Sequence, residues 1–560
     1  MNIIYRTLLI FSFPVLLIAA KPIDFKVTGI HGDLLSNVQE RLVELYQQKS
    51  IATDSLETLK QQIAKAMHPY GYFQPDIAIV RNKRLYISIN PGRQMLISDI
   101  NVKIIGDGEN NNEIKQVLQI LPIQKGQVLN NNSYNKAKEL LVSAAEQQGY
   151  LHANFVKSQL IIDKKKYTAR IDLIFDTGHQ YYFGQIHFDP TYISPELLHR
   201  YVRFKHGEIY STEDILAFNS HLNNSGYFKT VDVKPLISDD SHVPIRVNLQ
   251  PIDRANYSLG LGYGTDTGPR GRTGLHIVPI NPSGHKFNAI VQGSLKENAL
   301  LAQYLIPGKN PVTDNYAISG SLSNFNYSTG YSNSYLLSLG QQHRENDSQR
   351  ILSINGLHER YNYDTEAKSE KNLLFPKLSF TWRQADEPLF STNGYNINLI
   401  MQGSSTLGLS DINFAQAVLD AKLAITVAPI HSRLFFHGIQ GITQTHRLHD
   451  LPLSLAMLLG GADNLKAYGY NSIGPGKLMS FGSVEIQKET FEKWYLIGFV
   501  EAGSVYQPNN RLIKYDAGVG FMWVSPVGPI KISIAQGVDN HLHQVPNHIP
   551  KLVINMGPDL

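Results

Sequence analysis

The stretch from Tyr257 to Gly264 reads YSLGLGYG, and there the texture of the chain changes. Helical periodicity stops past Pro251, and short alternating runs punctuated by Gly, Asn, Asp and Ser take over. NAIVQGSLK (Asn288 to Lys296), RILSINGLHER (Arg350 to Arg360), RLFFHGIQGIT (Arg433 to Thr443) and IKISIAQ (Ile530 to Gln536) repeat the pattern. Segments of about ten residues, alternating in character and joined by turn residues, are the signature of a membrane β-barrel. Sixteen such segments can be placed, starting near residues 257, 273, 285, 298, 315, 333, 350, 375, 394, 413, 431, 477, 493, 513, 529 and 550. An even number lets an up-and-down barrel close without a free edge, which hydrocarbon requires. A soluble sandwich would alternate similarly. Sixteen consecutive strands without a helix favour the barrel, predicted over residues 253–560.

Composition agrees. Only 18% of the 560 residues are charged, against about 25% for ordinary globular domains, as expected if much of the surface does not face water. The net charge of +4 carries no basic surplus of the kind nucleic-acid binding needs. Absence of cysteine excludes disulfides and thiolate metal sites and fits an oxidising compartment. Residues 1–20 read as an export signal. Arg6 supplies the positive flank, Leu8 to Ile18 the apolar run, and Ala19 and Ala20 a small-residue cleavage site before Lys21. The run is shorter than the roughly 20 residues of a membrane-spanning helix.

Upstream of the strands the chain repeats. GYF (Gly71, Tyr72, Phe73), GYL (Gly149, Tyr150, Leu151) and GYF (Gly226, Tyr227, Phe228) recur at steps of 78 and 77 residues, the mark of one module copied in tandem. Each copy reads strand, two helices, then two strands, with the second helix running into the repeated glycine. In the middle copy, Tyr134 to Gln148 places Ala137, Leu140, Leu141, Ala144 and Ala145 on one helical face. Gly149 is then a left-handed helix stop and Tyr150 a core aromatic. The three modules are predicted over 21–97, 98–178 and 179–252.

One connection, roughly 450–475, exceeds the others and exceeds the ~12–15 residues beyond which loops are usually functional or disordered. It holds Gly460, Gly461, Tyr468, Gly469, Tyr470, Gly474 and Gly476, few charges, and an apolar approach at Leu451 to Leu459. This composition predicts a structured plug. Searches for catalytic patterns find no G-x-S-x-G elbow, no H-E-x-x-H and no phosphate-cradling G-x-x-x-x-G-K-[ST]. No enzyme, metal or cofactor is expected.

The loop reads GGADNLKAYGYNSIGPG, the first strand and turn GLGYGTDTGPR (Gly260 to Arg270), and a late strand pair GVGFMWVSPVGPIKISIA (Gly518 to Ala535). With three tandem modules and the ending MGPDL, the chain resembles the BamA/TamA superfamily of barrel assembly factors over essentially its whole length. The TDTGPR turn and the ending bring it nearer the translocation-and-assembly branch than BamA, which carries five modules. The resemblance implies three polypeptide-transport-associated (POTRA) domains in the periplasm, α+β in fold, followed by a 16-stranded antiparallel transmembrane β-barrel in the outer membrane of a Gram-negative bacterium. It further implies a TamB-like, inner-membrane-anchored partner, nascent outer-membrane barrels such as autotransporters as clients, and contact with outer-membrane lipid.

In that superfamily the long loop enters the lumen with a valine or isoleucine, arginine, glycine, aromatic motif. The matching positions here are Leu465, Lys466, Ala467 and Tyr468. The resemblance pairs the basic residue with acids on the inner wall, here Glu501 and, on the preceding strand, Glu485. Lysine for arginine and glutamate for aspartate keep the opposite charges while losing the planar fork.

To close the barrel, the first strand near Tyr257–Gly264 must pair with the last near Lys551–Met556. Pro550 and Pro558 bracket only seven residues there, where a spanning strand needs about 9–11. The seam, marked by Leu259, Ile554 and Gly557, should therefore be the weakest wall, at which a client strand adds to the free edge of strand one. The sequence thus predicts an insertase. A two-partner secretion pore, which usually has two modules, and a passive diffusion channel are the alternatives.

Overall fold

The computed structural model describes residues 25–47, 55–81, 84–238, 240–364, 366–506, 513–526, 528–538 and 549–557. The export signal and the final three residues lie outside them. The chain divides into two compact units, one of Met1–Gln185, Phe204–Asp214 and Pro235–Ile245, the other of Ile186–Arg203, Ile215–Lys234 and Arg246–Leu560.

The element order strand, helix, helix, strand, strand occurs three times. The first copy comprises β1 (Phe25–Thr28), α1 (Gly32–Gln47), α2 (Leu56–Met67), β2 (Asp76–Arg81) and β3 (Leu85–Asn90). The second comprises β4 (Leu96–Ile105), α3 (Asn112–Gln119), α4 (Asn131–Gln147), β5 (Asn154–Asp163) and β6 (Thr168–Asp176). The third comprises β7 (Tyr182–Phe188), α5 (Pro195–His199), α6 (Thr212–Asn224), β8 (Phe228–Pro235) and β9 (His242–Pro251). In every sheet the third strand in sequence lies in the middle, in the orders β1-β3-β2, β4-β6-β5 and β7-β9-β8. In the first two sheets the first strand lies parallel to the third, while the second and third form an antiparallel hairpin, so the helix pair carries the chain from one edge of the sheet to the other.

The helices cover one face of each sheet. In the first copy Val38, Leu42 and Leu45 of α1 and Leu59 and Ile63 of α2 pack with Ile87 and Ile89 of β3. In the second, Ala137, Leu141 and Ala145 of α4 pack with Ile171, Leu173 and Phe175 of β6. Helix α4 starts ahead of Tyr134 because the Asn130 side chain accepts from Asn132 N and caps it there.

The repeated glycines all adopt left-handed backbone, with φ of 86° at Gly71, 79° at Gly149 and 77° at Gly226. They do more than stop a helix. The Gly71 carbonyl accepts from Met95 N at 2.9 Å and the Gly149 carbonyl from Tyr181 N at 2.8 Å, so each ties its module to the start of the next. A Cβ at Gly149 would sit 2.7 Å from the Tyr181 carbonyl oxygen. The third pair meets the barrel instead: the buried Tyr227 hydroxyl donates to the carbonyl of Gly284 at 2.7 Å. Lys286 lies 4.8 Å from the Tyr227 ring and donates to Ser225 O at 2.6 Å.

Beyond Pro251 sixteen strands form one sheet in sequence order, every neighbouring pair antiparallel. They are β10 (Ala255–Gly264), β11 (Gly268–Ile277), β12 (Lys286–Gly293), β13 (Glu297–Pro307), β14 (Asp314–Tyr327), β15 (Gly330–Glu345), β16 (Ser348–Tyr363), β17 (Ser369–Ala385), β18 (Gly394–Ser404), β19 (Phe414–Val427), β20 (Ser432–Thr445), β21 (Leu478–Phe491), β22 (Trp494–Tyr506), β23 (Lys514–Ser525), β24 (Gly528–Val538) and β25 (Lys551–Met556). Alternation sorts their side chains. On β21, Ser483, Glu485 and Gln487 face inward and are buried, while Val484 and Ile486 face outward and are exposed, as lipid on one side and a polar lumen on the other demand.

Closure differs from the expectation. Among the described residues no ladder joins β10 to β25; the two strands end the sheet. β25 has six residues, all paired to β24 between Lys531↔Asn555 and its neighbours, too few to run alongside the whole of β10. Ile554 N donates to Thr265 Oγ1 at 3.3 Å, so Ile554 meets the end of β10 rather than Leu259.

A candidate luminal clasp beside an open seam

The connection from β20 to β21 is a folded hairpin. Leu459 and Ile473 exchange both backbone hydrogen bonds at 2.9 Å, and the Asn464 side chain accepts from Gly460 N at 2.6 Å. Leu465, at φ 49° and fully buried, inserts among Met457, Leu459, Met479, Phe481 and Val505. That apolar plug orients the residues that follow.

Lys466 donates twice to Glu501 on β22, from its backbone N to Oε2 at 2.9 Å and from its ammonium to Oε1. Ser483 also donates to Oε1, at 3.1 Å, and the ammonium lies 4.4 Å from the Phe499 ring centroid. The Glu501 side chain is wholly buried and that of Lys466 is 12% exposed. A buried ion pair survives desolvation when further hydrogen bonds satisfy its oxygens. Ala467 N donates to Asp516 Oδ2 at 2.7 Å, and Tyr468 OH to the Tyr515 carbonyl at 3.3 Å. The other acid named from the sequence, Glu485, takes a different cation: Lys531 of β24 reaches it at 2.9 Å across the two intervening strands. One lysine tip is too compact to span both acids as a planar fork could.

The loop is pinned to the far wall as well. Glu359 on β16 accepts from Ser332 Oγ at 2.7 Å and from Ser454 N at 3.0 Å, and Tyr361 and Tyr363 donate to the carbonyls of Asp450 and Leu451, both at 2.8 Å. Toward the tip, Tyr470 OH at 2.8 Å and Tyr327 OH at 2.5 Å share Glu297 Oε1. Sequence reasoning missed Asp516, Lys531, Glu359 and Glu297. The first could have been found by alternation, since Asp516 stands opposite Glu501 in the β22–β23 register; the others depend on how the sheet curls.

At the seam, β10 presents Tyr257, Leu259 and Leu261 as almost fully exposed side chains. A cavity of about 400 Å³ lies between the two terminal strands and the loop, lined among others by Gly260, Gly262, Asp463, Ile554 and Met556. Gly557, with φ 136°, follows β25.

Comparison with known proteins agrees with this architecture. The Omp85 superfamily domain matches residues 284–547, the POTRA domain of the type TamA domain 1 matches residues 24–91, and a POTRA domain described as a surface antigen variable number repeat matches residues 181–251. Residues 284–547 thus carry an Omp85 superfamily domain, and the POTRA domains ahead of it include one of the TamA type. Among solved structures it is similar to BamA from Haemophilus ducreyi lacking POTRA domains 1–3, with a TM-score of 0.68 and 17% identity over 83% of this chain and 99% of that one. CdiB from Acinetobacter baumannii aligns with a TM-score of 0.49 and 12% identity over 94% of this chain and 100% of that one. The fold is therefore that of POTRA domains followed by a nearly closed sixteen-stranded antiparallel barrel.

Proposed function

We propose that the protein is an outer-membrane insertase that assists assembly of β-barrel clients, autotransporters among them, by offering the edge of β10 as a template at the seam with β25. The observation that carries this reading is the mismatch at the seam: ten residues of β10 face six of β25, with no ladder between them. An unpaired edge is an open row of backbone donors and acceptors, and an incoming strand satisfies them. A passive channel would leave the lumen free, whereas here the β20–β21 loop crosses it from β16 to β22. The modules then stand in the periplasm, where their own free strand edges receive clients or dock a TamB-like partner anchored in the inner membrane. The chemistry is exchange of hydrogen bonds without covalent catalysis.

The test is capture of a folding client. A photo-crosslinking residue at Leu259 or Leu261 should trap the terminal strand of an autotransporter barrel during its insertion into proteoliposomes containing the full chain, while the same residue at outward Leu352 of β16 should not. Equal trapping at both sites, or at neither while insertion proceeds, would reject templating at β10.

A further inference from the structure

The loop does more than occupy the lumen, because it also reaches both strands of the seam. Lys551, the first residue of β25, donates at 2.7 Å to Asp266 Oδ1, just past the end of β10, and at 2.7 Å to the carbonyl of Tyr468 in the loop. The other Asp266 oxygen, Oδ2, accepts the backbone N–H of Ala462 in the same loop. Asp463 accepts from Asn555 Nδ2 at 3.0 Å. The Asp266 side chain is 6% exposed and that of Lys551 26%. Gly461 makes the approach possible: its φ is 121°, and a Cβ there would lie 2.9 Å from Asp266 Oδ2 and 2.8 Å from the Tyr470 ring.

We propose that Asp266, Lys551 and the loop peptide Gly461–Ala462 form a latch that ties β25 to the Thr265 end of β10, and that a client strand gains the full length of the β10 edge only when the latch releases. The inference rests on the seam reading above and names the groups that control it. Among the described residues, the hydrogen bonds joining β25 to the β10 end of the chain run from Ile554 N to Thr265 and from Lys551 to Asp266. The first is a single long bond to a hydroxyl. The second is charge-assisted and sheltered, the stronger kind, and the loop supplies a further partner to each of its two side chains. Pulling the loop back therefore weakens both halves of the latch at once. This couples the luminal loop to the lateral wall.

The test uses the full, cysteine-free chain in lipid nanodiscs, with spin labels on cysteines placed at the outward positions Leu261 and Leu552 and the distance distribution measured by pulsed electron resonance. The parent should give one narrow short distance. Asp266→Asn and Lys551→Met should each raise the longer-distance population on the order of tenfold, since each removes a hydrogen bond to a charged group. Gly461→Ala should do the same without touching either charge, by pushing the loop peptide off Asp266. The exchange Asp266→Lys with Lys551→Asp should recover part of the short distance. Distributions unchanged in Asp266→Asn and Gly461→Ala, both folded by heat-shifted gel mobility, would overturn the latch. Client insertion measured on the same variants separates the two readings: a seam that opens while insertion stays at the parental rate keeps the latch and removes the templating role.

Discussion

Lys466 meets Glu501 through both its backbone N–H and its ammonium, so the carboxylate fixes the loop's main chain as well as its charge. The two contacts separate under mutation. Glu501→Gln keeps an oxygen acceptor for the backbone, whereas Lys466→Glu sets two carboxylates against each other in a confined lumen.

Lys466→Glu should therefore impair barrel stability and client assembly, and Glu501→Lys added to it should restore only part, because the exchange re-creates opposite charges but not the backbone bond. Removing one partner of a buried pair costs about 3–5 kcal/mol. The temperature at which the compact gel band converts to the unfolded one reports the effect, and strict additivity of the two defects would reject the clasp. Lys466→Arg should be tolerated.

Lys531→Met should lower the same conversion temperature by withdrawing the cation that β24 supplies to the buried Glu485, a loss of about 3–5 kcal/mol. Glu485→Gln in that background should recover most of it, since an amide is far cheaper to bury than a carboxylate. A double variant as weak as the sum of the singles would show that the pair is not what holds β24 to β21.

Cysteines at Thr265 and Ile554 should crosslink on oxidation, because a backbone N of one lies 3.3 Å from the side chain of the other and disulfides need Cα atoms within about 7 Å. Leu259 with Ile554 should not. The locked chain should still fold but lose client insertion until reduced. Full activity of quantitatively crosslinked protein would end the lateral-opening mechanism.

At the joint between the third module and the barrel, Tyr227→Phe should cost about 1–3 kcal/mol, since it leaves the buried Gly284 carbonyl without its donor. Gly284→Ala should be worse, because φ is 75° and an added Cβ would lie 2.2 Å from Leu197 Cδ2. Burial first, and then the neighbouring Tyr201, push the Tyr227 phenol well above its ordinary value of 10.0. The protonated donor is thus favoured in the fold, so its contribution is complete below about pH 10 and fades as pH rises above that. Limited proteolysis near residue 252, followed against pH, reports the joint.

The three-fold module was legible because the Gly-Tyr pair marks a backbone requirement, a left-handed residue after a helix, that recurs wherever the same element order recurs. What the pair holds on to was not legible: Met95, Tyr181 and Gly284 are ordinary in sequence and become partners only when the next element is laid against the glycine. The sixteen strands were legible for a similar reason. Lipid outside and a polar lumen inside impose a period of two on each segment, and turn residues punctuate it.

The luminal site divides along the same line. Leu465, Lys466 and Glu501 were named through the family resemblance of the loop and its facing strand, and the structure brings the last two together. Glu485 was assigned to the same cation, but the wall's curvature places Lys531, 46 residues further along, at its carboxylate instead. The seam depended on more still. Two prolines around a short last strand marked it as weak, yet its register, and the Asp266–Lys551 pair that spans it, join residues 285 apart in the chain. Alternation and turn chemistry are properties of neighbouring residues, so the sequence alone determined the modules, the strand number and the inward faces. Which inward charges meet, and where the first and last strands touch, are set by the curl and stagger of the nearly closed sheet, and only the tertiary structure decided them.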